Sequence, residues 1–178
     1  MTLGLTAGTV YLAPYDPAWA EAFAAERARI LGALGELPIV VEHAGSTSVP
    51  GLAAKPILDI LLGRPADVPP SRYVAPLVGI GYEYRGEQGL AGRDYFVRDG
   101  PDGRRTHHLH MMALGTPLWR EHIGFRDYLR KNPERAAAYA ALKEELAARH
   151  SMDRDAYLKG KNDFIRETVA LSLASANG

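Results

Sequence analysis

The six residues from Ile57 to Leu62 read Ile-Leu-Asp-Ile-Leu-Leu, an apolar strand with one carboxylate inside it. A lone charge in such a strand is costly unless it is paired or holds a cation. Any fold this chain adopts must therefore bring a partner to Asp59. Strand alternation sends Leu58, Ile60 and Leu62 to one face and Ile57, Asp59 and Leu61 to the other, so Asp59 faces away from the main apolar layer.

The approach to this strand is equally constrained. A first apolar run, Ile39 to Val41, breaks at Gly45-Ser46, and Ser46, Thr47 and Ser48 precede Pro50 and Gly51. Hydroxyl residues ahead of a proline predict the capped start of a short helix. Its free amides and positive dipole would make a phosphate cradle of Gly45, Ser46 and Thr47, with Lys55 adding a positive charge at the far end. The competing reading of the same hydroxyls is a helix cap and nothing more.

The flanking chain supplies the rest of an α+β domain. Asp16-Pro17 predicts a helix start, with Trp19, Ala22, Phe23, Ile30 and Leu34 on one core-facing stripe and Gly35 and Pro38 ending it. After a proline-marked loop, Arg72 to Val78 reads as a short helix and Tyr82 to Tyr84 as a strand. Asp94 to Arg98 and Thr106 to Met112, joined by Asp99-Gly-Pro-Asp-Gly103, read as an antiparallel hairpin. Alternation puts His108 and His110 on one face of the second strand and His107, Leu109 and Met111 on the other. From Thr116 the pattern is helical throughout: Thr116-Pro117 to Lys131, Asn132-Pro133 to Arg149, and a third helix from Ser151 to about Ala174. One domain over 1–178 is expected, with a sheet-containing core over about 1–115 and a helical region over about 116–174.

Composition narrows the function classes. The 21 basic and 21 acidic residues cancel, so no broad basic surface for an extended nucleic acid is expected. Without cysteine there is no disulfide, thiolate metal site or Cys nucleophile. The opening residues lack a signal-peptide pattern, and no run approaches the roughly 20 apolar residues of a membrane helix. A cytoplasmic protein without membrane partners is the expectation.

The segment His43 to Asp59 (HAGSTSVPGLAAKPILD) resembles the GrpB family, and so do Tyr11 to Trp19, His108-Leu-His110, Phe125 to Arg130 and Tyr157 to Lys161. The resemblance implies a nucleotidyltransferase-like mixed β-sheet with helices mainly on one face and a helical C-terminal region. In that fold Gly-Ser contacts terminal phosphates and strand carboxylates hold divalent ions. Asp59 is then the expected catalytic carboxylate. Active members of the wider fold usually carry a second carboxylate two positions on, where this chain has Leu61.

His108 and His110 are expected to join Asp59 as ligands of a divalent metal ion (Mg, Mn or Zn); the alternatives are phosphate-binding or ordinary half-buried histidines. Tyr157, Lys161, Phe164 and Thr168 share a helical face, which aims Lys161 either along the core edge or at a phosphate opposite Ser46. His43, Arg126 and Arg130 are further cleft candidates with structural alternatives, while Lys159 and Arg166 are expected on solvated faces. The leading functional expectation is metal-dependent nucleotidyl or phosphoryl transfer from a nucleotide to a small acceptor. A non-catalytic module binding a nucleotide or phosphometabolite, and a metal-assisted hydrolase, are the alternatives.

Overall fold

The structure, a computed structural model, describes residues 3–6 and 8–176. Five strands, β1 (Val40–Ala44), β2 (Leu58–Arg64), β3 (Glu83–Tyr84), β4 (Arg93–Asp99) and β5 (Arg105–Ala113), form one sheet in the order β1-β2-β5-β4-β3. Only the β2–β5 pair is parallel; β1–β2, β4–β5 and β3–β4 are antiparallel. The sheet is therefore mixed, and β2 lies inside it with Asp59 opposite Ala44 on one side and His108 on the other.

Helices α1 (Ala18–Leu34) and α2 (Ser71–Gly79) cover one face. Their Trp19, Ile30, Leu34, Tyr73 and Leu77 pack on Leu58, Ile60, Leu62, Phe96, Leu109 and Met111, which is the face that strand alternation requires. Asp16 starts α1 by accepting a 3.0 Å hydrogen bond from the Ala18 amide through Oδ1. The helical region consists of α3 (Pro117–Lys131), α4 (Pro133–Arg149), α5 (Arg154–Gly160) and α6 (Asn162–Ala176). Thr116 caps α3 by accepting from the Trp119 amide. Leu118, Trp119 and Ile123 of α3 cover the other sheet face at one end, over Ala44, Leu61 and Met112. Gly63 allows this close approach, since a Cβ there would stand 2.2 Å from a Leu114 methyl and 2.9 Å from the Trp119 ring.

Three local expectations are corrected. The hydroxyl segment forms a single 3₁₀ turn over Ser46–Ser48, with no side-chain cap; Ser48 Oγ instead donates to the Gly45 carbonyl at 2.7 Å. Pro50 follows the turn rather than opening a helix, and Lys55 lies outside any helix, between Ala54, which bridges to Ala13, and a bend at Pro56. The third C-terminal helix is two, because the chain turns at Lys161 between α5 and α6. The strand at Tyr82 to Tyr84 shrinks to two residues, Tyr82 being buried in the core instead.

The stripe of α1 also carries a charge, between Phe23 and Ile30. Glu26, 4% exposed, accepts from Tyr82 Oη (2.8 Å), Arg98 Nη2 (2.7 Å) and Arg29 Nη1 (2.9 and 3.0 Å). His107 completes the cluster, with both ring nitrogens near Arg98 Nη2. Burial pushes the His107 imidazole down to about 4, with the Arg98 guanidinium acting in the same direction.

Candidate functional site

Register builds the site. Asp59 and His108 are cross-strand partners in the parallel pair, and His110 lies two residues further along the same face. His108 Nδ1 stands 3.1 Å from Asp59 Oδ1, and His110 Nε2 stands 4.0 Å from the same oxygen. The partner that a carboxylate in this apolar strand demanded is thus an imidazole, with the Asp59 side chain itself 35% exposed. Burial alone would raise the Asp59 carboxyl, but the hydrogen bond to His108 and the fields of both imidazoles and Lys55 hold it well below the usual carboxylate range. Burial pushes His110 down to about 3 against the pull of Asp59, so its ring is neutral at physiological pH.

Gly45 closes over this carboxylate. Its φ of +63° is readily adopted only by glycine, and a Cβ would lie 2.2 Å from Asp59 Oδ2. Glycine here lets the turn cross directly above the acid.

The neighbouring basic group is richer than the sequence reading foresaw. Lys143 of α4, 1% exposed, donates a 3.0 Å hydrogen bond to Ser46 Oγ and another to the Ala53 carbonyl. Its ammonium lies 4.8 Å from the Tyr139 ring centroid, while those of Lys161 and Lys55 lie 4.5 and 5.8 Å from that of Tyr157. Burial lowers all three lysines: Lys143 to about 7, with Lys161 and Lys55 adding repulsion, and Lys161 to about 8, with Lys55 adding repulsion. Asp59 acts in the opposite sense on Lys55 and Lys161. Lys143 was missed, although a signal existed. It sits beside Leu142 in the stripe of Tyr139, Leu142 and Leu146, as Lys161 follows Tyr157.

Other expected residues go elsewhere. Thr47 is buried with its Oγ1 3.0 Å from His43 Nε2, and both line a separate cavity of about 550 Å³ with Tyr15, Arg130 and Ala140. His43 stacks on Phe23 at 4.6 Å and is pushed down to about 4 by burial. Arg126 ties α3 to β1 through Glu42 Oε2 (2.7 Å) and the His43 carbonyl (3.0 Å). Arg130 holds the Ser48 carbonyl with Nε and Nη2, at 3.0 and 2.8 Å. Lys159 and Arg166 are exposed, as expected.

The donor set does not fit the two-ion arrangement of the wider fold. Leu61, where a second carboxylate would stand, is fully buried in the apolar cluster under α3. Among the described residues no three His, Cys, Asp or Glu side chains are placed to hold a metal ion. Nor is any helix among them long and apolar enough to cross a membrane.

A mixed sheet with a Gly-Ser turn after its first strand and an inward acid on its second defines a protein of the nucleotidyltransferase fold. The Cid1 poly(U) polymerase with Mg 3′-dATP bound matches at a TM-score of 0.55 and 12% identity, over 78% of this chain and 44% of that one, which shows the shared fold. The family described as GrpB protein matches residues 9–170, and the chain belongs to that family. A GrpB protein of Enterococcus faecalis superposes at a TM-score of 0.85 with 40% identity, over 94% of this chain and 100% of that one. A UPF0157 protein of Pseudomonas aeruginosa is 44% identical over 164 residues, 91% of this chain and 67% of its own length. The chain spans 44% of the Bacillus subtilis relative YqkA.

Proposed function

We propose that the cleft above Asp59 binds the phosphate of a small phosphorylated ligand, a nucleotide or phosphometabolite, on Lys55, Lys143 and Lys161. The observation that carries this reading is the charge balance. Three lysines are pushed down by burial, and Lys55 and Lys161 share one carboxylate that is already bonded to His108, while Lys143 is repelled by both of them and offset only by Glu144. Repelling ammonium groups out of water are unfavourable by themselves, and an arriving phosphate relieves both the repulsion and the lost hydration. Ser46, held by Lys143, supplies a hydroxyl at the same place. Chemistry on the bound ligand falls to the Asp59–His108 pair, in which the carboxylate orients the imidazole as a proton acceptor.

Thermal shift and calorimetry with pyrophosphate and ATP test the site. Lys143→Met is expected to weaken pyrophosphate binding roughly tenfold or more, as loss of a charge-assisted contact does, while leaving the unliganded melting temperature unchanged or higher. Ser46→Ala and Lys161→Ala should follow with smaller losses. Because Lys143 and Lys161 shed their protons near 7 and 8, affinity should fall as pH rises through that range. Lower stability with intact affinity in Lys143→Met would assign the lysine to structure.

Divalent metal participation, which the fold suggests, is tested separately by metal content and by melts with chelator. If Asp59 needs an ion as its counter-charge, chelation should lower the melting temperature of the wild type and not of Asp59→Asn. On the ion-free reading the two proteins respond alike, and Asp59→Asn only shifts ligand affinity.

A further inference from the structure

We propose that the hollow beside His108 is a second anion site, which takes a small phosphate monoester bound next to the phosphate held by the lysines. This rests on the reading above for its first ligand; Lys55 borders both places, but the three arginines belong to this one alone. The hollow encloses about 270 Å³ and is lined by Lys55, Arg85, Arg105 and Arg154, together with His108 and Gln88, and no acidic residue is among those lining it. Asp99, Glu83 and Asp155 pair with the three arginines and offset part of their charge. Lys55 has none of these outer partners, and Arg154 and Asp155 are only in marginal contact at 4.0 Å. A dianion satisfies this surplus better than a carboxylate, and forked guanidinium groups suit its oxygens. The hollow is of a size that a small phosphate monoester fills.

The wall of the hollow carries a second, independent sign. Gln88 has φ of +48° and is the one non-glycine residue with a positive φ among the described residues. Such a conformation costs about 1 kcal/mol or more and persists where its surroundings enforce it. Here they do: Arg93 Nη2 holds the carbonyls of Glu87 and Gln88 at 3.0 and 3.2 Å, and Gln88 Nε2 reaches back to the Arg85 carbonyl at 3.2 Å. The same Arg93 stacks on Tyr95 at 4.9 Å, and its Nη1 lies 3.5 Å from His110 Nδ1. The loop carrying Arg85 and Gln88 is therefore braced on the strand residues that adjoin His108 and His110. On the opposite wall, Leu5 bridges to Arg105 and fixes the start of the chain against β5. His108 lines the hollow while bonded to Asp59, so it adjoins both ligands.

Calorimetry with sn-glycerol 3-phosphate as probe, in the presence and absence of saturating pyrophosphate and with glycerol as the uncharged control, tests the site. The probe should bind the pyrophosphate-loaded protein. The Arg85→Ala/Arg154→Ala double variant, whose altered side chains are 43% and 41% exposed, should weaken the probe roughly tenfold or more and lower pyrophosphate affinity far less, through the field of Arg154 on Lys55 and Lys161 alone. Lys143→Met should do the reverse. One-for-one displacement of probe by pyrophosphate, probe binding unchanged in the double variant, or no probe binding at millimolar concentration would each overturn the second site. Probe binding without any pyrophosphate binding would overturn the lysine site and leave this one standing.

Discussion

Glu26→Leu is expected to lower the melting temperature by about 10 °C or more, although leucine suits the α1 stripe by every periodic criterion. The carboxylate side chain is 5% exposed and is the common acceptor of Tyr82, Arg98 and Arg29. Its removal leaves a guanidinium that is 21% exposed and a buried phenol without their partner. Breaking a buried pair from one side costs roughly 3–5 kcal/mol, and in a domain of this size each kcal/mol shifts the midpoint by about 2–4 °C. The double variant Glu26→Leu/Arg98→Leu should regain much of the loss, because it removes the orphaned charge too. A drop of a degree or two in the single variant, or strictly additive losses in the double, would show that the cluster does not join α1 to the sheet energetically.

Stability should climb with pH across an unusually wide range. His43 and His107 are held down to about 4 and His110 to about 3, against an unfolded value near 6.5. Between those values the unfolded chain binds more protons than the folded one, so stability is present above about pH 6.5 and is lost as pH falls toward 4. A buried imidazole depressed this far contributes on the order of a few kcal/mol, a large share of the stability of a domain. The depressed lysines act in the same sense above neutrality. Lys143 and Lys161 are charged below about 7 and 8 in the folded protein and up to about 10.4 in the unfolded chain. Melts from pH 4 to pH 9 should therefore rise steeply through the histidine range and continue upward more gently beyond pH 7. Pyrophosphate should flatten the upper part alone, since it offsets the lysine repulsion. A midpoint unchanged from pH 7 to pH 4.5 would contradict the buried neutral histidines.

These two expectations differ in how far the chain itself announces them. The apolar alternation around Asp59 and through His107 to Met111 determined the strands, their faces and the meeting of Asp59 with His108 and His110, because a period of two leaves only one arrangement that buries Leu58, Ile60, Leu109 and Met111 together. The cap-and-proline pairs at Asp16 and Thr116 likewise marked helix starts by local chemistry, whereas at Asn132 only the following proline does so, the Asn132 side chain donating back to the Tyr128 carbonyl instead of capping α4. Local chemistry misled at Ser46 to Ser48. There the turn is governed by the crossing of Gly45 over the Asp59 carboxylate, a contact across fourteen residues of sequence, and the hydroxyls are claimed by Lys143, His43 and the Gly45 carbonyl instead of by helix amides. A charged residue on an apolar stripe was visible in the sequence at Glu26, Lys143 and Lys161 alike. Periodicity says only that such a group is turned inward. Which of them meets its counter-charge, as Glu26 does with Arg98, and which faces other cations, as Lys143 does with Lys161 and Lys55, depends on what distant elements bring to the same spot. That is decided by tertiary packing, because charge interactions act through space and a sequence fixes neighbours only along the chain.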